Sequence, residues 1–93
     1  NCDFVFEYAQ YHARKCEYEE AIACYERAWE MEKKPRFTDA LHGIAIIYEI
    51  LGETAKAMET YDRMIACIKD EWGYKDEDAA VIEVERDKKR LMK

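Results

Sequence analysis

The sequence predicts an all-α fold, a solenoid of two helix–turn–helix repeats followed by a C-terminal capping helix. Three observations support this prediction. The composition favours helix, with only three Gly and one Pro among 93 residues. Apolar residues recur at helical spacing in five stretches, and turn-forming residues separate these stretches. Part of the sequence also repeats itself 36 residues further on.

Four of the five predicted helices form two hairpins, and the fifth closes the stack. The predicted helices are about 3–15, 18–33, 39–51, 54–70 and 77–92. The whole chain is read as a single domain, with repeats at about 3–35 and 38–70 and a cap at about 76–92. Pro35 is expected to stop the second helix, and Gly52 the third, because Gly reaches the left-handed conformation without steric cost. The broad apolar stripe of the first helix includes Phe4, Tyr8 and Tyr11.

The last predicted helix differs from the others in its charge and in the width of its apolar face. It begins with Glu77 and Asp78 and ends with Lys88, Lys89 and Arg90, an order that the helix dipole favours. Its apolar stripe is narrow, which is typical of a terminal helix with one solvated face.

The internal repeat aligns residues 16–28 with residues 52–64. Ala21 falls on Ala57, and Tyr25 falls on Tyr61. Self-similarity near this period indicates a solenoid unit that cannot bury its apolar face alone.

At these residues the chain resembles the tetratricopeptide repeat family, whose unit is a helical hairpin of 34 residues. The matching positions are Tyr18, Ala21, Tyr25, Ala28 and Pro35 in the first repeat, and Tyr48, Gly52, Ala57 and Tyr61 in the second. The departures are Cys16 where Gly is usual, His12 where an aromatic residue is usual, and Met64 where Ala is usual. The resemblance spans about residues 3–68 and implies a right-handed superhelix. The first helix of each hairpin would line a concave groove that holds peptides or partner proteins.

Eight groove residues follow from the resemblance: Asp3, Phe6, Gln10, Arg14, Asp39, His42, Ile46 and Glu49. Phe6 and Ile46 are the expected apolar anchors, and Asp39 and Glu49 are expected to pair with Lys or Arg of a partner. Alternatively, Phe6 and Ile46 pack against the final helix, which would then fill the groove.

One known function of the family is not expected here. Family members that bind chaperone tails hold a C-terminal carboxylate with Lys and Asn side chains. The equivalent positions in this chain are Phe6, Gln10 and Gly43, so this clamp is absent from the sequence.

Charge and cysteine content limit the classes of partner and the cellular compartment. The formal net charge of −6 disfavours nucleic acids and anionic membrane surfaces, which reward basic patches. The four Cys form no CxxC pair, so a reduced, cytoplasmic protein is the simplest interpretation. The sequence starts without Met, so we expect a domain of a longer protein.

No catalytic residue, metal ligand or cofactor is predicted. The sequence has no Gly-rich phosphate loop, no nucleophile-elbow motif and no zinc-protease motif, and it contains no Ser. His12 is expected to replace a core aromatic residue, and His42 to lie in the groove. We therefore expect a non-enzymatic module that binds a protein or peptide.

Two alternatives to peptide binding are considered. The first is a module for self-association, for example as a homodimer, or a sensor domain within a larger regulator. It is considered because a stack of two repeats has exposed ends. The second is RNA binding, which the acidic groove disfavours.

Overall fold

The computed structural model describes residues 2–92 and contains five α-helices. They are α1 (Cys2–Arg14), α2 (Tyr18–Met31), α3 (Asp39–Ile50), α4 (Thr54–Asp70) and α5 (Ala79–Arg90). No β-strand is present in this part of the chain, so the predicted all-α class is confirmed. The last helix begins later than predicted, because residues 75–78 form a turn in which the Asp78 amide donates to the Lys75 carbonyl at 3.0 Å.

Each helix packs on the next one along the chain: α1 on α2, α2 on α3, α3 on α4, and α4 on α5. This pattern is that of a helical solenoid, in which each unit contacts only its neighbours. The molecule is a slab of 36 × 34 × 16 Å. Its surface of 6094 Å² exceeds the roughly 5,700 Å² that scaling gives for a compact protein of this mass, as expected for a solenoid.

Small residues at the helix contacts let the backbones approach, and tyrosines fill the space beside them. Ala21, Ala28 and Ala57 are at most 1 % exposed. Tyr25 and Tyr61, which occupy the same position in the two repeats, are both buried. The 36-residue period of the sequence is therefore also a period of the core.

The two hairpin turns have the same geometry although their sequences differ. Gly52 has φ +74°, and the Glu53 amide donates to the Tyr48 carbonyl at 2.8 Å. Cys16 has φ +61°, and the Glu17 amide donates to the His12 carbonyl at 2.9 Å. Both turns close their helix by the Schellman pattern, which needs a left-handed residue after the helix end. Cys16 thus adopts a conformation that Gly would adopt more easily.

The last helix docks through a narrow apolar stripe and one ion pair. Val81 and Val84 are buried against the core, and they repeat the i, i+3 spacing of Leu41 and Ile44 in α3. The guanidinium of Arg90 donates to both carboxylate oxygens of Glu49, at 2.8 and 3.1 Å. The helix is thereby fixed to both α4 and α3.

Candidate partner-binding groove

The start of α1, the start of α3 and the loop between α2 and α3 surround one open cavity of about 620 Å³. Its lining residues are Asp3, Phe6, Ala28, Met31, Glu32, Lys33, Pro35, Phe37 and Asp39. Three of the eight predicted groove residues, Asp3, Phe6 and Asp39, therefore line the same cavity. We call it the Phe6 cavity.

Phe6 is held in place from behind. Its ring packs edge-on against Tyr25 of α2, with the two ring centroids 5.5 Å apart. Tyr25 is buried, and it lies against Gly43 of α3. Phe6 is itself only half-buried, so one side of the ring is fixed by the core and the other faces the cavity.

A second cavity of about 220 Å³ lies between α3, α4 and α5, and we call it the His42 cavity. Its lining residues are Thr38, Asp39, His42, Met64, Ile68, Ala80, Glu83, Val84 and Asp87. Asp39 lines both cavities, so Phe6, Asp39 and His42 border two adjoining cavities. Three carboxylates, those of Asp39, Glu83 and Asp87, border its second half.

The remaining predicted groove residues continue the same helix faces. Gln10 follows Phe6 by one helical turn and is half-buried, and Arg14 is exposed at the end of α1. Ile46 follows His42 by one turn and is 40 % exposed. Residues four apart share a helix face, so these side chains extend the surface beyond the two cavities.

The carboxylate of Glu49 already forms an ion pair with Arg90 of the same chain. Besides its two hydrogen bonds from Arg90, its carboxylate accepts one from the hydroxyl of Tyr61. Hydrogen bonding from Arg90, and after it from Tyr61, lowers the pKa of Glu49 below its ordinary value. Burial and the neighbouring carboxylate in turn raise the pKa of Tyr61. A partner's Lys or Arg would have to displace Arg90 to reach this side chain.

The wall of the Phe6 cavity depends on a loop that is fixed from the opposite side. The Arg36 amide donates to Glu71 at 2.9 Å, and its guanidinium donates to the same carboxylate at 2.6 Å. These hydrogen bonds lower the pKa of Glu71 to about 2. The indole of Trp72 and the thiol of Cys67 both donate to the Arg36 carbonyl, at 2.7 and 3.3 Å. Phe37 is thus anchored through its neighbour in the chain.

A cation–aromatic cluster on α2 completes this anchor. The guanidinium carbon of Arg36 lies 3.5 Å from the ring centre of Trp29, and that of Arg63 lies 5.0 Å from it. Arg63 also forms two hydrogen bonds of 2.8 Å with Glu26. These contacts join residues up to 37 apart in the sequence, and no local sequence pattern indicates them.

The loop and α5 residues that line the cavities are not among the predicted groove residues. Met31 has the spacing of a buried residue, yet it is 44 % exposed and lines the Phe6 cavity. Glu83 and Asp87 lie on the polar side of the capping helix, where acidic residues are routine. Only the packing of α5 beside α4 brings them to the groove.

The two histidines lie on different helices, His12 on α1 and His42 on α3. His12 is half-buried, its Nδ1 lies 2.7 Å from a Glu17 carboxylate oxygen, and its ring packs edge-on against Tyr8 at 4.5 Å. Across residues 2–92, no group of three or more His, Cys, Asp or Glu side chains is arranged to hold a metal ion.

None of the five helices described is long and apolar enough to cross a membrane.

The solenoid packing and the two equivalent turns can be compared with known structures. The structure is similar to the solution NMR structure of a tetratricopeptide repeat domain protein from Salinibacter ruber, with a TM-score of 0.76. The similarity covers 98 % of this chain and 86 % of that chain, at 22 % sequence identity. The chain has the fold of a tetratricopeptide repeat domain. No protein-family model and no curated protein sequence matches this tetratricopeptide-like chain.

Proposed function

We propose that this tetratricopeptide-like domain binds a segment of a partner protein in its concave groove, without catalysing a reaction. The observation that supports the proposal is the pair of cavities that share Asp39, one with an apolar wall at Phe6 and one with an acidic border. The partner segment would carry a large apolar side chain for the Phe6 cavity. A Lys or Arg close to it in sequence would lie near Asp39.

The apolar contact supplies most of the affinity in this proposal. Burying a large apolar side chain contributes about 1.5–3 kcal/mol. Phe6 offers a ring whose position is set by Tyr25, so little conformational freedom is lost when a ligand packs against it. A half-buried aromatic side chain whose ring is fixed by the core is a typical anchor of an interface.

The acidic border supplies orientation and selectivity. Asp39, Glu83 and Asp87 line the His42 cavity, and the chain as a whole carries a net charge of −6. Exposed ion pairs contribute about 0–1 kcal/mol each, so they affect the specificity of binding more than its affinity. A segment with Glu or Asp in place of its basic residue should bind less tightly.

The proposal can be tested with short synthetic peptides in which Leu, Phe or Trp is followed closely by Lys or Arg. Fluorescence anisotropy would measure their affinities for the wild-type domain. Phe6→Ala should weaken binding of the best peptide by about tenfold or more, and Ile46→Glu should weaken it as well. Circular dichroism would confirm that both variants keep their helix content.

Charge reversal at Asp39 separates a local contact from the general charge of the domain. Asp39→Lys should lower the affinity for the Lys peptide and raise it for a matched Glu peptide. Asp70→Lys changes the net charge equally at an exposed position outside both groove cavities, and it should have little effect. If folded Phe6→Ala and Ile46→Glu proteins bind every peptide as the wild type does, the groove is not the binding surface.

A further inference from the structure

An aromatic stripe is exposed along the outer side of α1. Phe4, Tyr8 and Tyr11 are 74, 58 and 45 % exposed, although the sequence pattern places them in the apolar stripe of the helix. The rings of Tyr8 and Tyr11 are stacked, with centroids 6.0 Å apart and planes 7° apart. Ala9, on the opposite side of the helix, is completely buried. We call Phe4, Tyr8 and Tyr11 the α1 stripe.

The α1 stripe can be compared with the equivalent positions of the second repeat. One period of 36 residues further on, the equivalent positions are Ala40, Ile44 and Ile47. These side chains are 0, 1 and 2 % exposed, and they lie on the helix that packs between α2 and α4. The α1 stripe therefore occupies the helix-packing face of the repeat, but no helix within residues 2–92 covers it.

We propose that the α1 stripe binds the same stripe of a second copy of this chain, with the two α1 helices antiparallel and related by a two-fold axis. The axis would pass between Tyr8 and Tyr11, so that each Tyr8 packs against Tyr11 of the other copy. Such an interface is isologous, because both copies use the same surface.

Lys15 lies on the stripe itself and donates to the Tyr11 hydroxyl at 3.2 Å, while two charges on one edge of the stripe favour the antiparallel arrangement. Glu7 and Arg14 are both exposed and lie seven residues apart, on one edge of the stripe. In an antiparallel two-fold pair the same edges meet, so Glu7 of each copy lies next to Arg14 of the other. In a parallel two-fold pair opposite edges of the stripe meet, so Glu7 and Arg14 of the two copies would not face each other. The antiparallel pair also opposes the two helix dipoles.

The outer side of α5 is a less favourable surface for the α1 stripe. It exposes Glu85, Arg86 and Lys89 around Ile82. Packing the α1 stripe on that surface would remove several charges from water without partners. Among the described helices, the outer side of α1 is therefore more apolar than that of α5, which favours a symmetric pair of α1 helices over a contact between α1 and α5.

The area of the stripe indicates a weak dimer. An aromatic side chain buries about 200 Å², so the exposed parts of the three rings offer about 350 Å² per copy. A standard interface buries about 800 Å² per partner. We expect a rapidly exchanging dimer that forms at high protein concentration, with a dissociation constant on the order of 100 µM.

Sedimentation equilibrium of the wild-type domain over about a hundredfold range of concentration tests the proposal. The expected result is a monomer–dimer equilibrium. Tyr8→Glu should abolish the dimer, whereas Tyr74→Glu, at an exposed aromatic residue near the start of α5, should leave it unchanged. A monomer at every concentration, an assembly larger than a dimer, or a dimer that survives Tyr8→Glu would overturn the proposal.

A charge swap tests the antiparallel pairing separately. Glu7→Arg alone and Arg14→Glu alone should each weaken the dimer about tenfold or more, because each brings like charges together at two symmetric places. The double variant Glu7→Arg/Arg14→Glu should restore dimerisation, since opposite charges meet again. Both residues are exposed, so the fold should tolerate these changes. A double variant that remains as weak as the singles would contradict the antiparallel arrangement.

Discussion

A β-carbon added at Gly43 would lie 2.6 Å from Cζ of Tyr25 and less than 3 Å from both Cε atoms of the same ring. Gly43 lies within α3, where Gly normally weakens a helix. The missing side chain lets the Tyr25 ring lie directly on the α3 backbone. On its other side the ring supports Phe6, so this contact links the two hairpins to the groove.

We therefore expect Gly43→Ala to destabilise the domain. Alanine favours helix over glycine by about 1 kcal/mol, but a ring overlap in a packed core costs about 1–3 kcal/mol. The net loss in the free energy of unfolding should be up to about 2 kcal/mol, measured by urea denaturation. In a Tyr25→Ala background the same change should instead be stabilising, because the ring is gone. A loss of equal size in both backgrounds would show that Tyr25 is not the cause.

Cys16→Gly should stabilise the domain. Cys16 has φ +61°, and a left-handed residue with a β-carbon costs roughly 1–2 kcal/mol. Part of this gain is offset by the greater freedom of Gly in the unfolded chain, which leaves about 0.5–1 kcal/mol. The free energy of unfolding from urea titration would measure it. Cys16→Ala serves as the control, since it removes the thiol and keeps the β-carbon, and it should give no gain.

The Arg36–Glu71 pair should make the stability depend on pH in the acid range. The pKa of Glu71 is lowered from 4.5 to about 2 in the folded protein, mainly by hydrogen bonds from Arg36. The stabilisation is therefore fully present above pH 4.5 and is lost as the pH falls from 4.5 towards 2. Glu71→Gln should be less stable than the wild type at neutral pH, and the two should converge near pH 2.

Urea titrations at a series of pH values would follow this convergence. Glu20→Gln removes the same charge at an exposed position of α2, and its stability should follow that of the wild type throughout. A difference between Glu71→Gln and the wild type that stayed constant from neutral to acid pH would mean that the Arg36–Glu71 pair is not its source.

The helices could be predicted because their signals are local. Ala21, Ala28 and Tyr25 show their roles through spacing along one helix, and their repetition 36 residues later indicates stacking. The turn at Gly52 follows from the residue type alone, whereas the same turn at Cys16 could be inferred only by alignment with it. The resemblance to a known repeat then supported the prediction of a helical solenoid, and the groove stays a prediction.

The contacts between distant residues could not be predicted in the same way. Nothing local distinguishes Arg90, which reaches Glu49 across 41 residues, from the other basic residues at the end of α5. Met31 and Phe4 have the spacing of buried residues, yet they are exposed. Helical periodicity shows that one face of a helix is apolar, but it does not show whether another helix packs on that face. The candidate groove therefore gained Glu83 and Asp87 from the structure alone.

Arg90 should matter more for stability than its exposed position suggests. Its guanidinium forms a bidentate pair with Glu49, whose side chain is 17 % exposed, while Lys88 forms a single contact of 2.7 Å with the more exposed Asp62. Removing the partner of a mostly buried carboxylate leaves a poorly solvated charge. Arg90→Ala should therefore lower the free energy of unfolding more than Lys88→Ala does, and it should speed hydrogen exchange of the α5 amides.

Adding Glu49→Gln to Arg90→Ala should recover part of the loss in the free energy of unfolding, because the charge of Glu49 is then removed. Equal effects of the two single variants, with no recovery in the double variant, would show that the Arg90–Glu49 pair does not hold α5 in place.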